Sequence, residues 1–214
     1  MTASAAGVLV RSAAPLAVAS SAVVRGGFAR VRAILNVHVE KHASLADAAR
    51  AADGFARSHG VVEPYVGLLT GARTEHAEIE TVRHDGLAAT AVVTVGLSNR
   101  TTAGVSPPAA VLRSSTINMI VVIDADAEPA ALVNLIMTVT ETKTLALVEA
   151  GVHTADGRFA TGTSTDAVAV AVTGHGTRQQ FGGPASVLGW LAAQAAGPAL
   201  RRGIARWLAE RADG

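Results

Sequence analysis

Cysteine is absent from the 214 residues. That excludes disulfides, a cysteine nucleophile and a thiolate metal site together. Aromatic residues make up only 3% of the chain, so its core has to be packed from Ala, Val, Leu and Ile. Charged residues stand at 16%, below the usual level of roughly 25%. The formal net charge is +1. The one basic pair that stands out, Arg201-Arg202, reads as the solvated face of a terminal helix and not as a nucleic-acid footprint, so no nucleic-acid partner is expected. The apolar run from Ala13 to Val24 is interrupted by Pro15, Ser20 and Ser21 and is too short for a bilayer. Arg25-Gly26-Gly27 follows it where a signal peptide would have an A-x-A-like cleavage site. It is read as a core strand, with no membrane span and a cytoplasmic address expected. No G-x-S-x-G elbow occurs, so a standard α/β-hydrolase triad has no support.

Half of the residues are apolar, enough for one domain with a sizeable core. Strands are expected over Leu16 to Val24, Arg32 to Glu40, Tyr65 to Leu69, Thr116 to Asp124 and Thr165 to Val172. Ala77 to Arg83 and Leu87 to Val95 form a hairpin about His84-Asp85-Gly86. Ser44 caps a helix that Gly60 ends. Glu128-Pro129 opens a long helix that Gly151 stops. A terminal helical tail begins near Ala185 and breaks at Gly197-Pro198. Strands come first and helices gather late, without βαβ alternation. The expected fold is α+β, a single domain with a mixed β-sheet covered by helices.

The informative residues are polar ones at the ends of apolar strands. Thr116 and Asn118 share one strand face, opposite Ile117, Met119 and Val121. Asn36 and His38 share a face, and Asn99 follows the strand that ends at Val95. If the strands lie side by side, Asn36, Asn99, Asn118 and Asp166 converge on one rim that offers amides and a carboxylate to a polar ligand. The alternative is that each caps a strand end locally. In the long helix, Leu132, Leu135, Ile136, Val139, Ala146 and Leu147 form an apolar face with Lys143 near its centre. That lysine either snorkels outward or enters a cleft. Asn134, Thr138 and Glu141 lie opposite, on a face that is either solvated or carries a base for activating water. His38, Glu40 and His42 alternate and could hold a divalent metal on an unbroken strand. The loop Thr161 to Asp166 has the composition of a phosphate cradle but precedes a strand, which excludes that role.

Three stretches together resemble the adenosylcobinamide amidohydrolase family: TVGLSN at Thr94 to Asn99, TINMIVVIDADAEPAALVNLIMTVTETKTLALVEAG at Thr116 to Gly151, and GRFATGTSTDAVAVAV at Gly157 to Val172. SSAVVRGG, ILNVHV and VGLLTGA, at Ser20 to Gly27, Ile34 to Val39 and Val66 to Ala72, support them. Ser115 and Ser164 stand where the family pattern has glycine, and Ala185 to Val187 lack its polar triplet. The resemblance implies hydrolysis of the amide that joins 1-amino-2-propanol to a corrin propionate, giving adenosylcobyric acid for cobamide salvage. The partner is then a small-molecule corrinoid. The cobalt belongs to the substrate, so no resident cofactor or metal is expected.

Direct attack by water needs a base, an oxyanion donor and a proton donor. Glu141 and Asp166 are the candidate bases, Asn118 and Asn99 candidate oxyanion donors, and Lys143 a candidate source of charge or a proton. Asn36, His38, Asn99, Thr116, Asn134, Thr161, Thr163 and Thr165 are candidate substrate contacts. Thr116 or Thr163 acting as nucleophile is the rival mechanism, weakened by the lack of an adjacent base. A non-catalytic corrinoid-binding module, or an amidohydrolase of another amide, are the alternative functions.

Overall fold

The computed structural model describes residues 1–40, 43–109 and 115–212. In chain order the elements begin with β1 (Thr2–Ser4), β2 (Gly7–Ser20), β3 (Gly27–His38), α1 (Leu45–Ser58), β4 (Val66–Thr70) and a 3-10 turn at Thr74–His76. Next come β5 (Glu78–His84), β6 (Leu87–Val95), β7 (Arg100–Thr101), β8 (Ile117–Ile123), β9 (Asp126–Ala127) and α2 (Pro129–Glu149). The chain then forms β10 (Gly162–Thr163), β11 (Ala167–Val172), β12 (Arg178–Gln179) and α3 (Val187–Ala212). The main sheet has the order β4-β3-β2-β11-β8-β6-β5, with β1 added to β2. β3 runs parallel to β4 and β8 parallel to β11, while the other pairings in it are antiparallel. The fold is α+β, as expected, with a mixed sheet and helices against it.

Strand alternation decides what each face meets. Met119, Val121 and Ile123 of β8 and Val168, Val170 and Val172 of β11 pack against α2 and α3. Ala33, Leu35 and Val37 of β3 meet Ala52, Phe55 and Ala56 of α1 on the same side of the sheet. The opposite face folds on itself: Ile34, Val66 and Leu68 join Val92, Ile120, Ala167, Ala169 and Ala171 in one buried cluster. The alanines of β11 lie at the bottom of this curl. Larger side chains there would hold the two halves of the sheet apart.

The caps explain the element ends. The Ser44 hydroxyl accepts from Asp47 N and starts α1. The β5–β6 turn places Asp85 at φ 48° and Gly86 at φ 78°, the left-handed pair of a tight hairpin turn that Asp-Gly tolerates. Three expectations changed. The first 15 residues are largely strand, because β2 starts at Gly7 and carries Val8 and Val10 into the core. The terminal helix does not break at Gly197-Pro198; α3 is continuous through Pro198. The carbonyl that the proline ring leaves without a donor, Gln194, sits on an exposed turn where water can reach it. Nor does that helix behave as a tail: Leu188, Leu191, Ala195, Ala199 and Leu200 are fully buried.

On α2, Thr138 lies inside and not on a solvated face, donating to Gly182 O at 2.9 Å. This helix is long and apolar enough to cross a bilayer by length and composition alone. In the fold its Leu132, Leu135 and Val139 pack on the sheet, and Val133, Met137 and Leu145 are exposed.

Candidate active site

The curl brings one end of β3 onto one end of β8. In sheet order these strands are three spacings apart, about 14 Å across a flat sheet. Even so, Asn118 Nδ2 donates to Asn36 Oδ1 at 2.8 Å. Asn36 Nδ2 donates in turn to Thr94 Oγ1 at 2.8 Å. The second hydrogen of the Asn118 amide goes to Leu69 O of β4 at 3.0 Å, and Asn118 Oδ1 accepts from Thr116 Oγ1 at 3.3 Å. Thr94, Thr116, Asn36 and Asn118 are all buried. They continue the apolar rows of Val92, Ile34 and Ile120 by one alternation each, so the inner core ends in a chain of amides and hydroxyls. Asn118 has committed both of its N–H groups to this chain, which makes it a clasp between β8, β3 and β4.

A second polar group sits beside it on the same rim. Lys143 Nζ meets Asp166 Oδ2 at 2.5 Å, and the two side chains are only 7% and 10% exposed. Thr163 N donates to Asp166 Oδ2 at 3.0 Å. Asp166 Oδ1 accepts from Thr163 Oγ1 at 2.5 Å and from Ile117 N at 3.0 Å. Four donors fill the acceptor positions of one carboxylate. Asp166 therefore pins the start of β8, the Thr163 turn and α2 to one another, and keeps no lone pair for activating water. Lys143 neither snorkels nor opens into a cleft; it ends on Asp166. A Cβ on Gly162 would overlap both Asp166 Oδ2 and Lys143 Nζ, so glycine is needed for this close approach.

The glycine–threonine loop is fastened to the segment after β6. β10 pairs with β7, Thr161 N donates to Thr101 O, and Thr161 Oγ1 accepts from Ala103 N. Asn99 Nδ2 donates to Ser164 Oγ at 2.6 Å. Thus Asn36, Asn99, Asn118 and Asp166 do gather on one rim, together with Thr116, Thr161 and Thr163. Thr165 lies in the same loop. His38 reaches the rim from β3, with Nδ1 2.9 Å from Ala72 O.

Two sequence candidates are not brought there. Glu141 is exposed on the outer side of α2, because two residues of helix turn it about 200° from Lys143. Asn134 is half-buried and lies about 13.5 Å along the helix axis from Lys143. Of the three alternating metal candidates, His42 lies outside the described residues. Among the described residues no group of three or more His, Asp or Glu side chains is placed to hold a metal.

Beside the rim opens a cleft of about 290 Å³, between the loop after β4 and the last turns of α3. Ser115 and Gly96 line it from the rim side, His76 from the 3-10 turn, and Trp207, Glu210 and Arg211 from α3. Ser115 Oγ accepts from Ser98 N at 3.0 Å and is buried, so the position where a serine replaces the family glycine supplies the cleft with a fixed hydroxyl. Arg211 stacks on the Trp207 ring with its guanidinium carbon 4.4 Å from the centroid and donates to Ser98 Oγ at 3.0 Å. His76 Nδ1 lies 3.1 Å from Glu210 Oε1. None of His76, Trp207, Glu210 and Arg211 stood out in the sequence. Their pattern is that of ordinary helix and turn residues, and only the packing of α3 across the sheet end assembles them.

The profile of the family described as adenosylcobinamide amidohydrolase matches residues 1–212. A Methanosarcina mazei protein named adenosylcobinamide amidohydrolase is 34% identical over 157 residues, covering 72% of this chain and 68% of its own length. Among solved structures, a Pyrococcus horikoshii protein has a TM-score of 0.44 at 14% identity, covering 89% of this chain and 73% of its own. A Burkholderia sp. beta-aminopeptidase has a TM-score of 0.45 at 13% identity, covering 89% and 74%. The two structural likenesses are too distant to bear on the site. The profile match along nearly the whole chain and the relative are sufficient: this chain belongs to the adenosylcobinamide amidohydrolase family and is an amidohydrolase.

Proposed function

We propose that the chain hydrolyses the amide between 1-amino-2-propanol and a corrin propionate of adenosylcobinamide, releasing adenosylcobyric acid for cobamide salvage in the cytoplasm. The observation that carries this reading is the cleft at the polar rim. Its volume of about 290 Å³ is at the small end of ligand sites. It suits one side arm of a large substrate, with the macrocycle resting outside on the rim. The hydroxyls of Ser98 and Ser115 in its lining match the carboxamides that a corrinoid presents. Arg73 and Arg211, which line the cleft, supply positive charge for the oxyanion that forms when the amide carbon becomes tetrahedral, whereas the third lining arginine, Arg206, is committed to Glu78. The cobalt travels with the substrate, and the reaction asks for no resident cofactor or metal.

In this scheme the buried groups have positioning duties. Asn118 and Asn36 hold the start of β8 and thereby Ser115 and Thr116. Asp166 and Lys143 hold the threonine loop against the same strand end. Water is the nucleophile. Thr163 does have a carboxylate in contact, but its hydroxyl is itself one of the four donors on Asp166, and in this scheme the contact fastens the loop. Thr116 donates to a neutral amide, which cannot take its proton.

The test is incubation of the purified protein with adenosylcobinamide, followed by separation of the corrinoids with mass detection. Appearance of adenosylcobyric acid and free aminopropanol in equal amounts supports the reading. Unchanged substrate rejects it, and turnover of simpler amides in the same assay would move the chain to another amide substrate.

A further inference from the structure

We propose that His76, oriented by Glu210, carries the proton in this amide hydrolysis. The inference rests on the corrinoid-amide reading above. The reaction needs one group that accepts a proton from water and then hands it to the leaving amine. Neither carboxylate of the sequence reading meets that need, since Asp166 is filled by four donors and Glu141 points to solvent on α2.

The cleft itself holds a better group. Its arginines are donors with no acceptor atom for a proton, and serine hydroxyls do not shuttle protons unaided. His76 is the one cleft-lining side chain among the described residues of the type that changes charge near neutral pH. It is also held in place. Thr74, fully buried in the same 3-10 turn, donates from Oγ1 to Ser4 O at 2.7 Å and ties the turn to β1. The contact with Glu210 at 3.1 Å engages Nδ1 and leaves Nε2 for the reacting atoms. A carboxylate on one ring nitrogen selects the tautomer with the proton there and the lone pair on the other. The charged groups facing His76 are Arg73, Arg206, Glu210 and Arg211 in the cleft. Glu75 adjoins it in the turn, and His38 lies behind Ala72.

The step balances without a further reactant. A water oxygen attacks the amide carbon while its proton passes to Nε2. The tetrahedral intermediate then expels the amine as the C–N bond breaks, and the Nε2 proton moves to the departing nitrogen. The products are the corrin propionic acid and free aminopropanol, with the imidazole neutral again. Glu210 touches the imidazole through Oε1 and the Arg73 guanidinium through Oε2 at 3.9 Å, not the reacting atoms, and is a positioning residue.

The experiment compares the wild type with His76→Gln, His76→Ala and Glu210→Gln, each checked for folding by thermal melting, over a range of pH with adenosylcobinamide. The wild type is expected to show an acid-side fall in kcat/KM; His76→Gln is expected to lower kcat by about 10²- to 10⁴-fold with little change in KM, and to remove that fall. Added imidazole should restore part of the rate to His76→Ala. Glu210→Gln should shift the acid-side fall while keeping a measurable rate. A His76→Gln enzyme within twofold of wild-type kcat, with the same pH profile, overturns the assignment and leaves the substrate reading intact. A wild type that releases no aminopropanol at any pH removes the substrate reading and this inference with it. Should the His76 variants fail to fold, a wild-type kcat/KM that is flat on the acid side overturns the assignment by itself.

Discussion

Asp166 looks like a base in the sequence and is a fastener in the fold. It does join Asn36, Asn99 and Asn118 at one end of the sheet, as adjacent strand ends would place it. What the sequence could not show is how many donors converge on it, because Ile117, Lys143 and the Thr163 turn come from three separate elements. The same holds for Lys143: its place on the apolar face was legible from helical periodicity, its partner was not. A buried pair of this kind is costly to break, because one uncompensated charge is left behind. Lys143→Met is expected to lower the unfolding free energy by about 3–5 kcal/mol in urea titration. The double variant Lys143→Met with Asp166→Asn should recover part of that loss, since no lone charge then remains. If the single variant matches the wild type, the pair is not the fastener described here. Glu141 shows the reverse case: its residue type suggested chemistry, and two steps of helical rotation place it in solvent.

At the scale of elements, local signals carried well where the code is local. The Ser44 cap, the Asp85-Gly86 turn and the Pro129 and Gly151 ends of α2 appear where cap and turn chemistry puts them. Two readings changed because packing overrode a local rule. α3 runs through Pro198 because its alanine- and leucine-rich inner face is buried against the sheet. Thr138 turned inward because α3 and the segment before it cover the side of α2 that periodicity assigned to water. The join between α3 and β5 is ionic. Glu78 is buried, and Arg206 and Arg202 meet its carboxylate at 2.5 and 2.9 Å. Burial alone would raise its pKa; the hydrogen bonds and charges of Arg206 and Arg202 together outweigh it and hold the carboxyl below its ordinary value of 4.5. A carboxyl depressed on folding stabilises the native state above its unfolded pKa, and that contribution is lost as the pH falls through the lower, folded one. Wild-type stability is therefore expected to fall as the pH drops below about 4.5. Glu78→Gln should be less stable at neutral pH by roughly 1 kcal/mol, because both guanidiniums are half in water, and should show a flatter acid dependence. Thermal melting from pH 7 to pH 3 checks the sign.

For the whole molecule, the class of fold was readable and the curvature was not. Alternation gives strands and faces, but nothing in β3 or β8 alone says that strands three places apart will touch. The clue in retrospect is β11, whose inner residues are Ala167, Ala169 and Ala171, with valines on the outer face. Ala169→Leu is expected to cost about 1–3 kcal/mol through overpacking. It should also reduce turnover of adenosylcobinamide, because it pushes the Asn36 half of the sheet away from the Asn118 half. The outer-face change Val170→Ile serves as the comparison, and equal losses of activity in both would argue against the curl as the positioning device. The same strand has a consequence for how the chain assembles. β4-β3-β2 lies on one side of β11 and β8-β6-β5 on the other, and each set comes from one stretch of sequence, the first with α1 between β3 and β4. Without residues 167–172 the main sheet would be two half-sheets, since β11 alone bridges β2 and β8. β11 is then the last plank laid, closing a gap that spans some 150 residues of sequence between Ser20 and Ala169. Loop-closure entropy disfavours so distant a join, so the clasp of asparagines is expected to form late in folding, after the local hairpins.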